Sequence, residues 1–321
     1  MKILVTGGAG YIGSHVVLDL CEAGHEVLVL DDLSSGRKSS VDPRAEFIEG
    51  STLENKDLIK AFAFNPEAVI HLAAFKAAGE SMTHPQKYSN NNIVGTVNLL
   101  NAMLEQKVLK FVFSSTAAVY GYPQYLPMDE DHPTNPANYY GFTKLEIERI
   151  LKWYDELKGL KFAALRYFNA AGYDPDNRIT ALEKNPANLL PVVMETASGM
   201  RKSMDVFGQD YKTPDGTGVR DYIHVSDLAR AHVKALDYLD QKNKSFTVNL
   251  ATGESYSVLE VIKLAETVTG KKIVYNITGR RAGDPAELYA AGNHAKELLN
   301  WKAEYSSLEM ILKTTWQVYN R

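Results

Sequence analysis

The sequence predicts an α/β protein, a Rossmann-type doubly wound parallel sheet joined to a smaller α/β lobe. Three observations carry that expectation. Short β-rich runs alternate with amphipathic helical stretches through the first half of the chain, which is the rhythm of βαβ units. Strand candidates such as Val27-Leu28-Val29-Leu30 and Phe111-Val112-Phe113 are continuously apolar, as strands covered on both faces must be. The first strand, Lys2–Thr6, runs directly into Gly7-Gly8-Ala9-Gly10-Tyr11-Ile12-Gly13 and then into a helix pattern.

The elements follow in order. Strands are expected at Lys2–Thr6, Glu26–Leu30, Glu46–Ile48, Ala68–Leu72, Lys110–Ser114 and Lys161–Arg166. Helices are expected from the glycine turn to Cys21, over Pro85–Gln106 and over Tyr139–Leu157. From Asn169 the rhythm breaks: residues 169–188 are rich in Asn, Asp, Pro and Gly, and a segment of that kind reads as a functional loop or lid. Shorter helices recur near 188–200, 226–239, 257–269 and 306–319, with brief strands between them. Residues 1–168 therefore read as a dinucleotide-binding domain. Residues 169–321 read mainly as a substrate lobe, with about 215–250 returning to the first domain.

At 321 residues the chain exceeds the roughly 250–300 at which single cores stop growing, so two lobes are expected. With 35 Lys and Arg against 39 Asp and Glu, the net charge of −4 gives no electrostatic case for nucleic-acid binding. A hydrophobic fraction of 45% and a charged fraction of 23% fit a globular chain and argue against disorder or a membrane-embedded protein. Cys21 is the single cysteine, which excludes an intramolecular disulfide. No apolar run reaches membrane-spanning length, and MKILVTGG reads as a strand rather than a signal peptide, so a cytoplasmic protein is expected. The scattered histidines have no ligand spacing, so no metal is expected.

The glycines at 7, 10 and 13 permit a tight turn and an unobstructed backbone, so that a pyrophosphate can reach the exposed amides of the helix start. Asp31 ends the second strand, where an acid accepts hydrogen bonds from an adenosine ribose and repels a ribose phosphate. NAD is therefore expected rather than NADP. Leu72, Ala73 and Ala74 close the fourth strand with small residues that let a cofactor approach, or that simply pack. Lys76 reaches a pyrophosphate or sits on a solvated turn, and Asn92 lies near the cofactor or in a polar helix turn.

Tyr140 and Lys144 stand four residues apart in a helix pattern, on one face and within reach of a common ligand. A phenolate base at neutral pH needs its pKa depressed by roughly three units from about 10, which a lysine and a positively charged nicotinamide can supply together. Upstream, the strand Lys110–Ser114 ends in Ser114-Ser115-Thr116, placing hydroxyls at the carboxyl edge of a central strand, where ligands of open α/β sheets bind.

The combination TGGAGYIG (6–13), LDD (30–32), SSTAAVYG (114–121), YYGFTK (139–144), RYFN (166–169) and GTGVRDYIHV (216–225) resembles the extended short-chain dehydrogenase/reductase family. Together with GRRAGDP (279–285), it is similar to that family's UDP-sugar 4-epimerases over nearly the whole chain. The resemblance implies that Tyr140 is the base, Lys144 its activator and ribose ligand, and Thr116 the hydroxyl that binds the reacting sugar oxygen. It implies NAD contacts from Gly7, Gly10, Tyr11, Ile12, Gly13, Asp31, Asp32, Ser51, Thr52, Leu72, Ala73, Ala74, Lys76, Asn92, Ser114, Tyr167 and Phe168. For the sugar nucleotide it implies Asn169, Asn188, Leu189, Val206, Phe207, Arg220, Tyr222, Arg281, Asp284 and Leu288. Arginine is the residue type suited to two phosphates, although each arginine alone also fits a surface salt bridge.

The implied reaction is interconversion of UDP-galactose and UDP-glucose through a transient 4-keto sugar, with NAD retained. Dehydratases of the family use an Asp-Glu pair directly after the Thr116 position, and Ala117-Ala118 cannot move a proton. Two departures stand out. Ser51-Thr52 replaces an acid that contacts the adenine, and Leu288 occupies the position that governs how bulky a sugar can enter, unless it is simply core. The resemblance also implies a homodimer formed through the helices at 85–106 and 139–157, where Leu99, Leu100, Met103 and Leu104 fit either an interface or the core. The rival readings are epimerisation of another UDP-sugar, such as an N-acetylhexosamine, uronic acid or pentose, and a non-catalytic NAD-binding sensor.

Overall fold

The computed structural model describes every residue except 185, 187, 282 and 283. Its centre is a seven-stranded parallel sheet. The chain begins with β1 (Lys2–Thr6), α1 (Tyr11–Glu22), β2 (Glu26–Asp31), β3 (Glu46–Glu49), α2 (Asn55–Phe62) and β4 (Ala68–His71). It continues through α3 (Ala78–Thr83), α4 (Pro85–Tyr88), α5 (Gly95–Glu105), β5 (Lys110–Thr116), α6 (Tyr139–Lys158) and β6 (Lys161–Tyr167). Beyond these come β7 (Asn169–Ala171), α7 (Leu189–Ala197), β8 (Met204–Phe207), β9 (Val219–Arg220), β10 (Tyr222–His224), α8 (Val225–Lys242) and β11 (Phe246–Leu250). The chain closes with β12 (Tyr256–Ser257), α9 (Val258–Thr269), β13 (Tyr275–Thr278), β14 (Glu287–Leu288), α10 (Asn293–Leu299) and α11 (Leu308–Tyr319). No helix among the described residues is long and apolar enough to cross a membrane.

The sheet order is β11-β6-β5-β4-β1-β2-β3, so the chain reverses direction across the sheet between β1 and β4. That reversal is a topological switch point, and it opens a crevice at the carboxyl ends of the strands. Both faces are covered. On one, Val16, Val17 and Leu20 of α1 pack with Leu228, Leu236 and Leu239 of α8. On the other, Leu58 of α2, Leu99 and Met103 of α5, and Ile147 and Leu151 of α6 fill a second core. Each such side chain contributes roughly 1.5–3 kcal/mol when taken fully out of water. The smaller lobe has its own core, in which Val193 and Met194 of α7 meet Val261 of α9 and Ile311 and Leu312 of α11.

Two expectations need revision, and one open alternative is decided. The helix pattern Pro85–Gln106 is not one α-helix: α4 and α5 are joined by a π-helical stretch, Ser89–Val94. Its polar run Asn90-Asn91-Asn92 follows from Asn92, whose side chain turns inward to bond the backbone of Phe75. The segment 169–188 is not wholly irregular, because β7 pairs in parallel with β10 across the junction of the lobes. Leu99, Leu100 and Met103 have no exposed surface and belong to the intramolecular core.

β11 joins the first sheet beside β6, and α8 covers it. Ala295, Leu299 and Trp301, far along the chain, also pack into that core. We propose a division on this basis: 1–168 as the NAD-binding domain, and 169–321 as the substrate lobe, with about 215–250 returned to the first.

Candidate active site

The glycine turn is built by steric exclusion. Gly7 has φ 76°, and a Cβ there would meet the Ala73 nitrogen at 2.5 Å, so the turn and the end of β4 touch backbone to backbone. A Cβ on Gly13 would overlap the carbonyl oxygen of Gly7. α1 starts at Gly10 with no side-chain cap, leaving its first amides open to an anion. Gly7, Gly10, Tyr11, Ile12 and Gly13 line one wall of a cleft of about 740 Å³, within the range of cofactor sites. Leu72, Ala73 and Ala74 line it at the end of β4.

Asp31 sits at the end of β2 with little exposure. Its Oδ2 accepts the Ala9 amide at 2.9 Å and its Oδ1 the Leu33 amide at 2.8 Å, which leaves further lone pairs for a ribose. Burial pushes its carboxyl up, against those two amides. Asp32 accepts the Ser34 amide at 2.9 Å. Ser51 and Thr52 also line the cleft; Ser51 Oγ accepts the Leu53 amide at 3.2 Å, so its hydroxyl proton remains for a ligand.

Lys76 lines the cleft but bonds Glu183 at 2.6 Å. That bond belongs to a strap. Arg37 Nε donates to the Leu182 carbonyl at 3.1 Å, and Lys184 Nζ donates to the Leu33 carbonyl at 3.0 Å, so residues 182–184 of the second lobe are tied across the cleft. The segment was expected as a loop or lid, yet nothing in its composition marked Leu182, Glu183 or Lys184 individually. Asn92 is fully buried behind the wall rather than in it, fixing the Phe75 amide at 2.9 Å and its carbonyl at 3.1 Å.

Catalytic candidates meet where α6 begins. Asn138 caps the helix by accepting the Gly141 amide at 2.8 Å, and Ser81 accepts the Tyr140 amide at 3.0 Å. Gly141 packs against the Ala118 carbonyl so closely that a Cβ would clash, which presses the start of α6 onto the turn after Thr116. Thr116, Tyr140 and Lys144 all line the same cleft as the glycine turn. Lys144 is 2% exposed, and its Nζ donates to the Ser114 carbonyl at 2.7 Å. The Ser114 hydroxyl bonds the Tyr167 hydroxyl, and Tyr167 and Phe168 line the cleft below.

The electrostatics differ from the simple expectation of a depressed phenol. Burial pushes Tyr140 up to about 12, with the Thr116 hydroxyl beside it acting in the opposite sense. Burial also pushes Lys144 down to about 7, against the charge of Glu148. A phenolate in this site therefore requires positive charge beyond that of Lys144. A bound nicotinamide is such a charge.

In the second lobe, Asn169 Nδ2 donates to the Asp221 carbonyl at 2.8 Å, and Asn188 lines the cleft at the start of α7 beside Leu189. Arg220 is held by the carbonyls of Val219 at 2.7 Å, Ala286 at 3.2 Å and Pro285 at 2.7 Å, and by Asp284. Arg281 stacks over the Phe207 ring at 4.2 Å, whereas Val206 is buried in the lobe core. Tyr222 is buried on β10. Leu288 is half-buried in the cluster built on Ala117 and Tyr120; it does not line the cleft of the glycine turn, and neither do Leu189, Val206, Phe207, Arg220, Tyr222, Arg281 and Asp284. Residues 282 and 283 of the GRRAGDP string lie outside the described residues.

A doubly wound sheet with a glycine-opened cleft, and a tyrosine and lysine four residues apart facing it, defines a nucleotide-dependent enzyme of the Rossmann class. The chain matches the NAD dependent epimerase/dehydratase family over residues 3–251 and belongs to it. It is 46% identical to the UDP-glucose 4-epimerase of Streptococcus mutans over 319 residues, covering 98% of this chain and 96% of that one. The crystal structure of UDP-glucose 4-epimerase from Brucella ovis in complex with NAD superposes with a TM-score of 0.96 at 41% identity, covering 99% and 98% of the two chains. The enzyme from Bifidobacterium longum in complex with NAD+ and UDP superposes at 0.94 with 40% identity, covering 100% and 99%. The protein is an NAD-dependent epimerase, an isomerase.

Proposed function

We propose that the protein interconverts UDP-galactose and UDP-glucose at sugar carbon 4, through a transient 4-keto sugar. One observation carries the reading: Thr116, Tyr140 and Lys144 converge in the same cleft as the glycine turn and Asp31. NAD held along the glycine turn and Asp31 would supply the hydride acceptor and donor for carbon 4, so the reaction would carry no net oxidation. Tyr140 takes the proton of the 4-hydroxyl and later returns it. Thr116 orients that oxygen, and Lys144 supplies positive charge beneath the phenol. The UDP-glucose 4-epimerases with which the chain aligns over nearly its full length support this choice of substrate.

Arg220 and Arg281 provide the cations for the two phosphates. For Arg220 this means exchanging its bonds to Asp284 and the carbonyls of Val219, Pro285 and Ala286 for bonds to substrate. Leu288, packed against the same cluster as Phe168, is the residue we assign to setting the room available to the sugar.

The test is a proton NMR time course on purified protein with UDP-galactose and, in parallel, UDP-N-acetylgalactosamine, with no NAD added. Conversion of the first alone is expected; conversion of neither, even after NAD is supplied, would overturn the substrate. Tyr140→Phe should fold normally and lose about 10²–10⁴-fold in turnover. Near-normal turnover would remove Tyr140 as the base.

We further propose a cytoplasmic homodimer. Phe142, Trp153 and Leu157 are exposed along α6, at 39%, 59% and 66%, and offer an apolar stripe for a second copy. Light scattering at the mass of one 35.7 kDa chain would exclude that assembly. The lone Cys21, buried and reduced, fits a reducing compartment, and cell fractionation checks the location.

A further inference from the structure

Tyr140, Lys144 and Glu148 succeed one another at four-residue spacing on α6, hence on one face of the helix. The last three residues of β5 receive them. Thr116 stands beside the phenol, the Ser114 carbonyl accepts from Lys144 Nζ at 2.7 Å, and the Ser115 hydroxyl donates to Glu148 Oε1 at 2.5 Å. Glu148 is 1% exposed and is fixed from the far side by Arg166. Arg166 Nε donates to Oε1 at 2.9 Å and Nη2 to Oε2 at 2.5 Å. Arg166 is itself held by Tyr120, whose hydroxyl accepts from Nη1 at 3.0 Å and donates to Asn249 Oδ1 at 2.7 Å. One buried carboxylate thus pairs directly with Arg166 and lies one helical turn from Lys144, whose ammonium bonds the Ser114 carbonyl instead.

Of the two cations, only Lys144 can give up its proton, because a guanidinium stays charged in proteins. A buried ion pair is weak evidence for stability, since the pairing mostly offsets the cost of desolvating both ions. The position of this one, a single helical turn below Lys144, has a chemical consequence instead. If Lys144 became neutral, Tyr140 would lose the one cation this chain sets beneath it on the same helix face. Glu148 is the charge that acts on Lys144 against the effect of burial.

We propose that Glu148 is a positioning residue for the epimerisation: its carboxylate, set in place by Arg166 and Ser115, keeps Lys144 an ammonium beneath Tyr140. The proposal rests on the reading of Tyr140 as the base and Lys144 as its activator. It assigns Glu148 no contact with substrate or cofactor. A merely structural staple between α6 and β6 would make the same bonds but would leave the ionisation of Tyr140 untouched.

The experiment is an ultraviolet pH titration of the holoenzyme, reading the tyrosinate band as the difference between the wild type and Tyr140→Phe. In Glu148→Gln the Tyr140 midpoint is expected to rise by about one pH unit, a tenfold change in proton concentration. The acidic limb of the kcat/KM profile should move upward with it. Glu148→Asp, which keeps the charge, should restore most of the shift. Glu148→Gln also strands Arg166, so the paired variant Glu148→Gln/Arg166→Met removes both ions; it serves where the single variant does not fold, and a smaller upward shift is expected, because the Arg166 charge lost with the carboxylate acts in the opposite sense from farther away. An unchanged midpoint in either folded variant overturns the role of Glu148 while leaving Tyr140 as base. Undiminished turnover in Tyr140→Phe overturns the base itself, and the proposal with it.

Discussion

Acidification is expected to destabilise this protein through its buried histidines. His15, His71, His224 and His232 are each at most 1% exposed. His71 lies between the hydroxyls of Thr6 at 2.6 Å and Thr96 at 2.9 Å, and His224 bonds Thr314 at 3.0 Å. Burial pushes His15 and His232 down to about 4, and His71 and His224 down to about 3. Unfolded, each histidine binds a proton near pH 6.5, which the folded state refuses. Their contribution is therefore complete above that pH and is lost as pH falls.

Asp19 and Asp221 act in the opposite sense. Burial pushes each carboxyl up to about 7, so the folded state holds two protons that the unfolded chain releases. At about pH 5.5 the four unfolded histidines hold nearly four protons and the two folded acids nearly two, so unfolding takes up about two protons and stability falls by roughly 2 kcal/mol per pH unit of acidification. Asp31 and Asp227, also raised by burial, flatten that slope. Lys144 adds nothing there, being protonated in both states. Against a total stability of roughly 5–15 kcal/mol, the loss between about pH 7 and about pH 5 is a large fraction. Urea denaturation of the holoprotein at fixed ionic strength across that range measures it. His232→Gln should reduce the slope by roughly 1 kcal/mol per unit, one histidine's share. A flat or rising stability on acidification would refute the reasoning.

Gly13→Ala places a Cβ into the Gly7 carbonyl, so the purified protein should retain much less NAD, read from the absorbance ratio of the folded sample. Asn92→Ala leaves the Phe75 amide and carbonyl without their buried partner; a loss of about 1–3 kcal/mol in unfolding free energy is expected, with NAD affinity reduced because the wall at Phe75 and Lys76 loosens. On the proposed role of Leu288 as the residue that sets the room for the sugar, Leu288→Ser should shift competition between UDP-galactose and UDP-N-acetylgalactosamine in one tube toward the acetylated substrate.

What was legible in the sequence is what local pattern dictates. The continuous apolar runs of β2 and β5 mark a sheet covered on both faces, and the glycine turn marks the helix start that faces the cleft. Thr116, Tyr140 and Lys144 were legible because four-residue spacing puts two of them on one helix face, and a strand end supplies the third. The π-helical stretch was not legible, because it depends on Asn92 finding the backbone of Phe75, 17 residues away. The three ties of the strap were hidden for the same reason, since Arg37 and Leu182 lie 145 residues apart. Glu148 carries no functional mark in the sequence alone, although its spacing from Lys144 repeats that of Lys144 from Tyr140. The signal was present, but its meaning came only with Arg166 behind it.

The place of β11 at the edge of the main sheet shapes how the chain reaches its fold during synthesis. Until residues 246–250 leave the ribosome, β6 is an unpaired edge, with the backbone of Ala163 to Tyr167 open to a foreign strand. Roughly 80 residues separate the end of β6 from the end of β11, which at about 5–20 residues per second leaves that edge exposed for several seconds of translation. A fragment ending at 168 would keep that edge unpaired and is expected to aggregate more readily than the full chain. Only the stretch from β7 to β9 of the second lobe is made before β11; α9 and α11, which complete its core, follow a sheet that is already closed.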